Sequence, residues 1–210
     1  MAGLIQNFKM SALTKMDISK LSLNNQYQVN ISGITGALAG YLGRTYDIPN
    51  NYATGKDIGI MCSEATLPTS SFATSEVKDN FHGINQQFAH TRIYIDSDFT
   101  FYVDQNYNTL KFFEGWMDYI SGVDNNTGGS QTQGYYRRFN YPMNGGKIGY
   151  KCGKLEIAKF ERNYADNGKC LAYEFINAFP KGMTSIPVQY GGADLTKVTV
   201  QFAYDRYIVK

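Results

Sequence analysis

The 210-residue sequence predicts a mainly β fold: a β-sandwich or barrel with long hairpins and one flanking α-helix at about 108–121. Three observations predict it. Apolar residues recur at period two over most of the chain, as in strands that bury one face. Asp166-Asn167-Gly168 is a tight-hairpin signal, because Asn and Gly tolerate positive φ. A single stretch, NTLKFFEGWMDYIS (108–121), instead recurs at 3- and 4-residue steps. There Leu110, Phe113, Met117 and Ile120 share one helical face and Trp116 widens it, while Lys111, Glu114 and Asp118 point away. Asn108 or Thr109 is the expected cap and Gly122 the expected stop.

The elements follow in chain order. Residues 1–24 read as a polar, mildly amphipathic N-terminal arm. Tyr27, Val29 and Ile31 alternate with polar residues and give a first strand. The stretch 33–57 holds five glycines and Pro49 without a clear period, and reads as a long loop insertion. Ile58 to Cys62 resumes as strand and runs toward Pro68, which should stop it because proline cannot donate to a ladder. Residues 76–90 are polar but compatible with a strand. Residues 92–104 alternate, with Ile93, Ile95, Phe99, Phe101 and Val103 on one side. As one strand they would span about 43 Å at ~3.3 Å per residue. Either the strand bends at Ser97–Asp98 or it projects beyond the core.

After the helix, 122–146 is a second Gly- and Asn-rich insertion. Residues 147–161 and 170–179 form a hairpin around the Asp-Asn-Gly turn, and Pro180 and Gly182 break its second strand. A last strand, 197–209, turns Val198, Val200, Phe202 and Tyr204 to one side. The whole is expected to be one domain over 1–210. There is no internal repeat.

Composition limits the function. The net charge of +2, from 20 basic and 18 acidic residues, is no footprint for nucleic-acid binding. Charged residues are 18% of the chain, below the roughly 25% of ordinary domains, and there are 17 Tyr and 13 Phe. Such a surface suits contact with neighbours. Three cysteines do not make a disulfide framework, and Cys152 and Cys170 read as core residues. The N-terminus lacks the apolar core of a signal peptide, and no run approaches the roughly 18 apolar residues of a membrane span.

No catalytic constellation emerges, and no cofactor is expected. His82 and His90 are eight apart, about 26 Å on an extended strand, with no ligand partners at suitable spacing. Phosphate-cradle and serine-elbow motifs are absent. Asp96, Asp98 and Asp104 share a strand face and read as solvated rather than as an opposed catalytic pair. Tyr135, Tyr136, Arg137, Arg138 and Phe139 interleave arginine with aromatics, which fits an interface loop better than base stacking.

The order of elements carries a resemblance. A strand ends in EATLP (64–68), and DFTFYVD (98–104) precedes a helix with a central Trp (110–120). YEFINAFPKGM (173–183) then leads to a closing strand, KVTVQFAYDRY (197–207). In this order, outside 33–57 and 122–146, the chain resembles the tail tube protein of contractile-tailed, T4-like bacteriophages. The resemblance implies six-copy rings that stack into a hollow tube, which conducts phage DNA during ejection without sequence-specific binding. It implies self-assembly and partners in the tail sheath, tape-measure and baseplate proteins, with the chain in the virion tail after assembly in the host cytoplasm. Two hairpins, about 72–104 and 147–179, would close a barrel around the lumen, with the helix outside. Candidate interface or lumen residues are Glu76, Lys78, Asp79, Asn85, Gln87, Arg92, Tyr94, Asp96, Lys159 and Glu174. A baseplate initiator or secretion-system ring of the same fold is the alternative, and a monomeric carbohydrate-binding β-domain the reading from another class.

Overall fold

The computed structural model describes residues 22, 24–78, 83–122, 139–140, 142, 149–160, 170–192 and 194–210. Those residues form β1 (Tyr27–Ser32), α1 (Gly36–Tyr46), α2 (Asn50–Ala53), α3 (Lys56–Ile60), β2 (Cys62–Ala65), β3 (Ser70–Val77), β4 (Gln86–Tyr94) and β5 (Ser97–Tyr102). They continue with α4 (Asn108–Ile120), β6 (Lys154–Phe160), β7 (Cys170–Ile176), β8 (Phe179–Met183), β9 (Lys197–Ala203) and β10 (Arg206–Val209).

Two four-stranded antiparallel sheets face each other, ordered β1-β6-β7-β10 and β2-β5-β9-β8. The mainly β sandwich expected from the period-two pattern is therefore present. Val29, Ile31, Leu155, Ile157 and Phe175 of the first sheet meet Phe99, Phe101, Val198, Val200 and Phe202 of the second in one buried cluster. The Phe99 and Phe175 rings cross between the sheets edge to face at 5.9 Å. The β6–β7 hairpin pairs Phe160 with Cys170 at its far end. Its Asp-Asn-Gly turn lies outside the described residues.

Helix α4 seals the sandwich. Phe113 packs on Phe101 at 4.9 Å and on Phe202 at 6.0 Å, and the buried Trp116 donates its indole N–H to the Tyr150 carbonyl at 2.7 Å. The buried stripe is Phe112, Phe113, Trp116 and Tyr119, rotated from the expected one, with Leu110, Met117 and Ile120 only partly covered. Aromatic volume, rather than the best-spaced aliphatics, chose the face. The cap also differs from expectation. Tyr107 starts the helix at φ 58, and the Asp104 carboxylate accepts from the Thr109 amide (3.1 Å) and the Asn108 side chain (2.9 Å). At the other end Gly122 has φ 79 and its amide bonds the Tyr119 carbonyl at 3.1 Å, the expected stop.

Several expectations are corrected. Residues 33–57 are mostly helical rather than a loop, so the flanking helix has three companions. Thr35 caps α1 by accepting from the Leu38 amide at 3.4 Å, and Leu38, Tyr41 and Leu42 are buried at the spacing of one helix face. Ile58 is buried within α3, not in a strand; the strand begins at Cys62 and ends before Pro68. Pro180 and Gly182 do not break a strand but sit in β8 at a bulge, on a sheet edge where a missing N–H is tolerated. The turn out of β7 is made by Asn177, at φ 59. The closing strand splits at Tyr204–Asp205, and β10 crosses to the other sheet. Cys152 is buried as expected, but Cys170 is exposed at the end of the β6–β7 hairpin.

No helix among the described residues is long and apolar enough to cross a membrane.

Candidate functional site

The most distinctive surface is the two-stranded β3–β4 ribbon, which pairs with neither main sheet. It corrects the expected hairpin at 72–104: the ribbon ends at Tyr94, and β5 pairs instead with β2 and β9. The alternation 92–104 does not run through. Ser97, Phe99 and Phe101 point into the core, so Ile93 and Ile95 should too. They do not. The break comes at Ile95–Asp96, just before the expected bend, and reverses the faces. Tyr94 now points to the body, its ring 6.4 Å from Tyr204 and 5.5 Å from Tyr207.

The reversal gathers a row of apolar side chains on the outward side of the ribbon. Register and alternation put Val77, Phe88 and Ile93 on one side, with Ile95 continuing the row. These four side chains are 45%, 54%, 47% and 52% exposed, large values for residues of this type. Ser71, Ala73, Ser75 and Thr91 fill the positions between them, so nothing bulky and charged interrupts the stripe. The opposite side carries Glu76, Gln87, Arg92 and Tyr94, four of the expected lumen or interface residues, together with Phe72, which lies across from Arg92 and is 61% exposed. Glu76 accepts from Asn85 at 2.9 Å and pairs with Lys78 at 3.3 Å, which joins two more of that set to it. Asp79 lies outside the described residues. Asp96 is at the ribbon base, bonded by Lys181 at 2.6 Å.

The remaining two expected residues separate. Glu174 points outward from β7, directly across from Glu156. Lys154 pairs with Glu156 at 2.9 Å and Lys210 with Glu174, so the facing carboxylates are each neutralised. The Lys210 ammonium holds the Glu174 carboxyl below its usual range. Lys159 follows Leu155 and Ile157 on the other side of β6 and bonds the Ser22 hydroxyl beside a groove of Tyr27, Glu64 and Leu67. Glu174 and Lys159 therefore do not form one lining. Of the contact loop, Phe139 is exposed and Tyr135, Tyr136, Arg137 and Arg138 lie outside the described residues.

Little here supports chemistry. Asp96, Asp98 and Asp104 do not converge: one binds Lys181, one is exposed and one caps α4. His90 is exposed beside Thr91, and His82 lies outside the described residues. No group of three potential metal ligands occurs among the described residues.

Residues 22–210 match the family model of the phage tail tube protein. The chain belongs to that family. It is a family of structural tube proteins, not enzymes, and this protein is a tail-tube-like structural component of a phage tail. The fold recurs in solved structures of low identity. The sheath/tube terminator of an extracellular contractile injection system, PVC, aligns at 13% identity and TM-score 0.55, over 92% of this chain and 99% of that one. The tube-terminating cap of the anti-feeding prophage aligns at 12% identity and TM-score 0.56, over 93% and 95%. A chain of the anti-feeding prophage baseplate, 6-fold symmetrised, aligns at 10% identity and TM-score 0.55, over 93% and 97%. No curated protein matches the sequence.

Proposed function

We propose that this tail tube protein is a single-domain subunit of a contractile, T4-like tail, six copies of which close a ring. Rings stack into a hollow tube that conducts DNA during ejection. The observation that carries the proposal is the inverted ribbon. The sandwich closes its core without Val77, Phe88, Ile93 or Ile95, yet these side chains share one uncovered face. Burial against a second copy removes about 25 cal/mol per Å² of apolar surface from water. An isolated two-stranded ribbon is marginal by itself, so a neighbour that covers one face also stabilises it.

Edges support lateral assembly. β10 ends the first sheet with no further strand beside it among the described residues, whereas α3 lies over the β1 edge and β8 carries Pro180 on its edge of the second. A ribbon laid along an open edge pairs its backbone groups, which closes a ring and removes free edges. The polar lining suits passage of a polyanion. Retention of DNA scales with Lys and Arg contacts to phosphate, and Lys78, Lys154 and Lys210 are each paired with a glutamate of the ribbon or of β6–β7. Sheath, tape-measure and baseplate proteins are the expected partners, in a virion tail assembled in the host cytoplasm.

Negative-stain electron microscopy of the purified protein, with its mass by light scattering, tests the proposal. Rods with an axial channel, built from rings of six subunit masses, are the expected result. Assembly that stops at one ring assigns the chain to an initiator or terminator. A monomer at every concentration, unchanged by tube seeds, overturns ring assembly.

A further inference from the structure

The ribbon joins the sandwich through two short links, 66–69 and 95–96, and its face reverses at the second. A ribbon held only by its links would swing. Tyr94 packs across the joint on Tyr204 and Tyr207, and Arg92 ties that contact together. The Arg92 guanidinium lies 5.2 Å from the Tyr94 ring centroid and 5.4 Å from that of Tyr207. Its Nη2 donates to the Tyr207 hydroxyl at 3.2 Å and its Nε to the Ser70 hydroxyl at 3.0 Å. The Ser70 and Tyr207 hydroxyls lie 3.1 Å apart and close the set. Ser70 and Tyr94 are cross-strand partners in the first rung of the ribbon, while Tyr207 belongs to β10 of the first sheet. Arg92 has no carboxylate partner among the described residues; its contacts are aromatic faces and hydroxyls. Lys181 on Asp96 and the Tyr204 hydroxyl on the Ile95 carbonyl hold the link itself.

We propose that Arg92 is a positioning residue: clamped between Tyr94 and Tyr207, it locks the ribbon across the hinge at 95–96 and aims the apolar face before any neighbour arrives. This rests on the ribbon being the assembly element. The planar guanidinium can stack and bond through two edges at once, which fixes an angle, whereas an ammonium supplies only charge. Ordering the ribbon in the free subunit removes that cost from the association step.

The test is hydrogen exchange of the free protein, with assembly followed by light scattering, for wild type, Arg92→Ala and Arg92→Lys. Loss of the clamp is expected to speed exchange of the 86–94 amides by about tenfold, leave β5 and β9 protected, and lengthen the assembly lag by a similar factor. Arg92→Lys should behave like Arg92→Ala. Unchanged ribbon exchange in Arg92→Ala overturns the lock, as does a Lys variant identical to wild type. Equal loss of protection through β5 and β9 also overturns it, by making Arg92 a general stability residue. If wild type does not assemble even with tube seeds, ring assembly fails and so does the aiming role; the exchange arm then decides only whether the hinge is locked.

Discussion

Gly59 separates local propensity from packing. It lies in α3, where a helix former normally replaces glycine with a gain of about 0.8–1 kcal/mol. Here α3 rests on β1, and a Cβ at Gly59 would lie 2.2 Å from the Val29 carbonyl oxygen and 3.1 Å from its carbon. Ordinary contact begins near 3.4 Å, so the helix must lift by about 1.2 Å. The neighbour is backbone in a paired strand and cannot swing aside. Overpacking of this kind costs about 1–3 kcal/mol, and an immovable neighbour puts it at the upper end. Set against the propensity gain, Gly59→Ala should destabilise by about 2 kcal/mol. That lowers Tm by roughly 4–8 °C for a chain of this size. Gly40 in α1 is the control: nothing lies within 4 Å of its Cβ position, so Gly40→Ala should raise stability by up to about 1 kcal/mol. Chemical denaturation of the two variants under conditions that keep the chain monomeric is the assay. A neutral or stabilising Gly59→Ala would refute the close approach of α3 to β1.

Further expectations follow from other parts of the molecule. Phe88→Asp and Ile93→Asp should abolish rings by light scattering while shifting the monomer's stability by less than about 0.5 kcal/mol, since both side chains are exposed in the free subunit. Trp116→Phe strands the Tyr150 carbonyl and leaves a void among Phe112 and Phe202, and should cost about 2–3 kcal/mol in denaturant unfolding. Glu174 has its pKa lowered in the fold by Lys210, so its contribution is present above the ordinary Glu range and fades as pH falls through the lowered value. The stability difference between wild type and Glu174→Gln should therefore shrink toward zero in acid, as read by melting between about pH 3 and 6. A thiol reagent should label Cys170 within minutes and leave Cys152 unreacted until unfolding, because burial pushes the Cys152 thiol up to about 12.

Period two in the sequence located the sandwich well: Val29 and Ile31, Phe99 and Phe101, and Val198, Val200 and Phe202 are all core residues. The same pattern misled at 92–104, because alternation reports which residues share a face only while the backbone stays straight. Two residues outside the ladder, Ile95 and Asp96, were enough to reverse it. In 33–57 the glycines hid a helical signal that was present, Thr35 as cap followed by Leu38, Tyr41 and Leu42 at helical spacing. Gly55 shows why glycine was needed there: at φ 84 its Cβ position lies 2.8 Å from the Ile31 carbonyl, so close approach and not looseness selects it. The shared face of Glu76, Gln87, Arg92 and Tyr94 was not legible, because straight alternation separates Gln87 from Arg92 and only the bulge between Ala89 and Thr91 brings them together. Nor was Arg92's hold on Tyr207, because it joins residues 115 apart in sequence.

The reversed face at Ile95–Asp96 also bears on how this gene can change. Substitutions in the ribbon alter one contact at a time, but a codon gained or lost between Tyr94 and Ser97 would slip Phe88 and Ile93 of β4 against β3, whose own link at 66–69 stays unchanged. Phe99, Phe101 and their partners would keep their places. If the ribbon is the assembly element proposed above, such a product should keep its sandwich and fail to join its own copies. Selection on this stretch should therefore conserve length more strictly than residue identity.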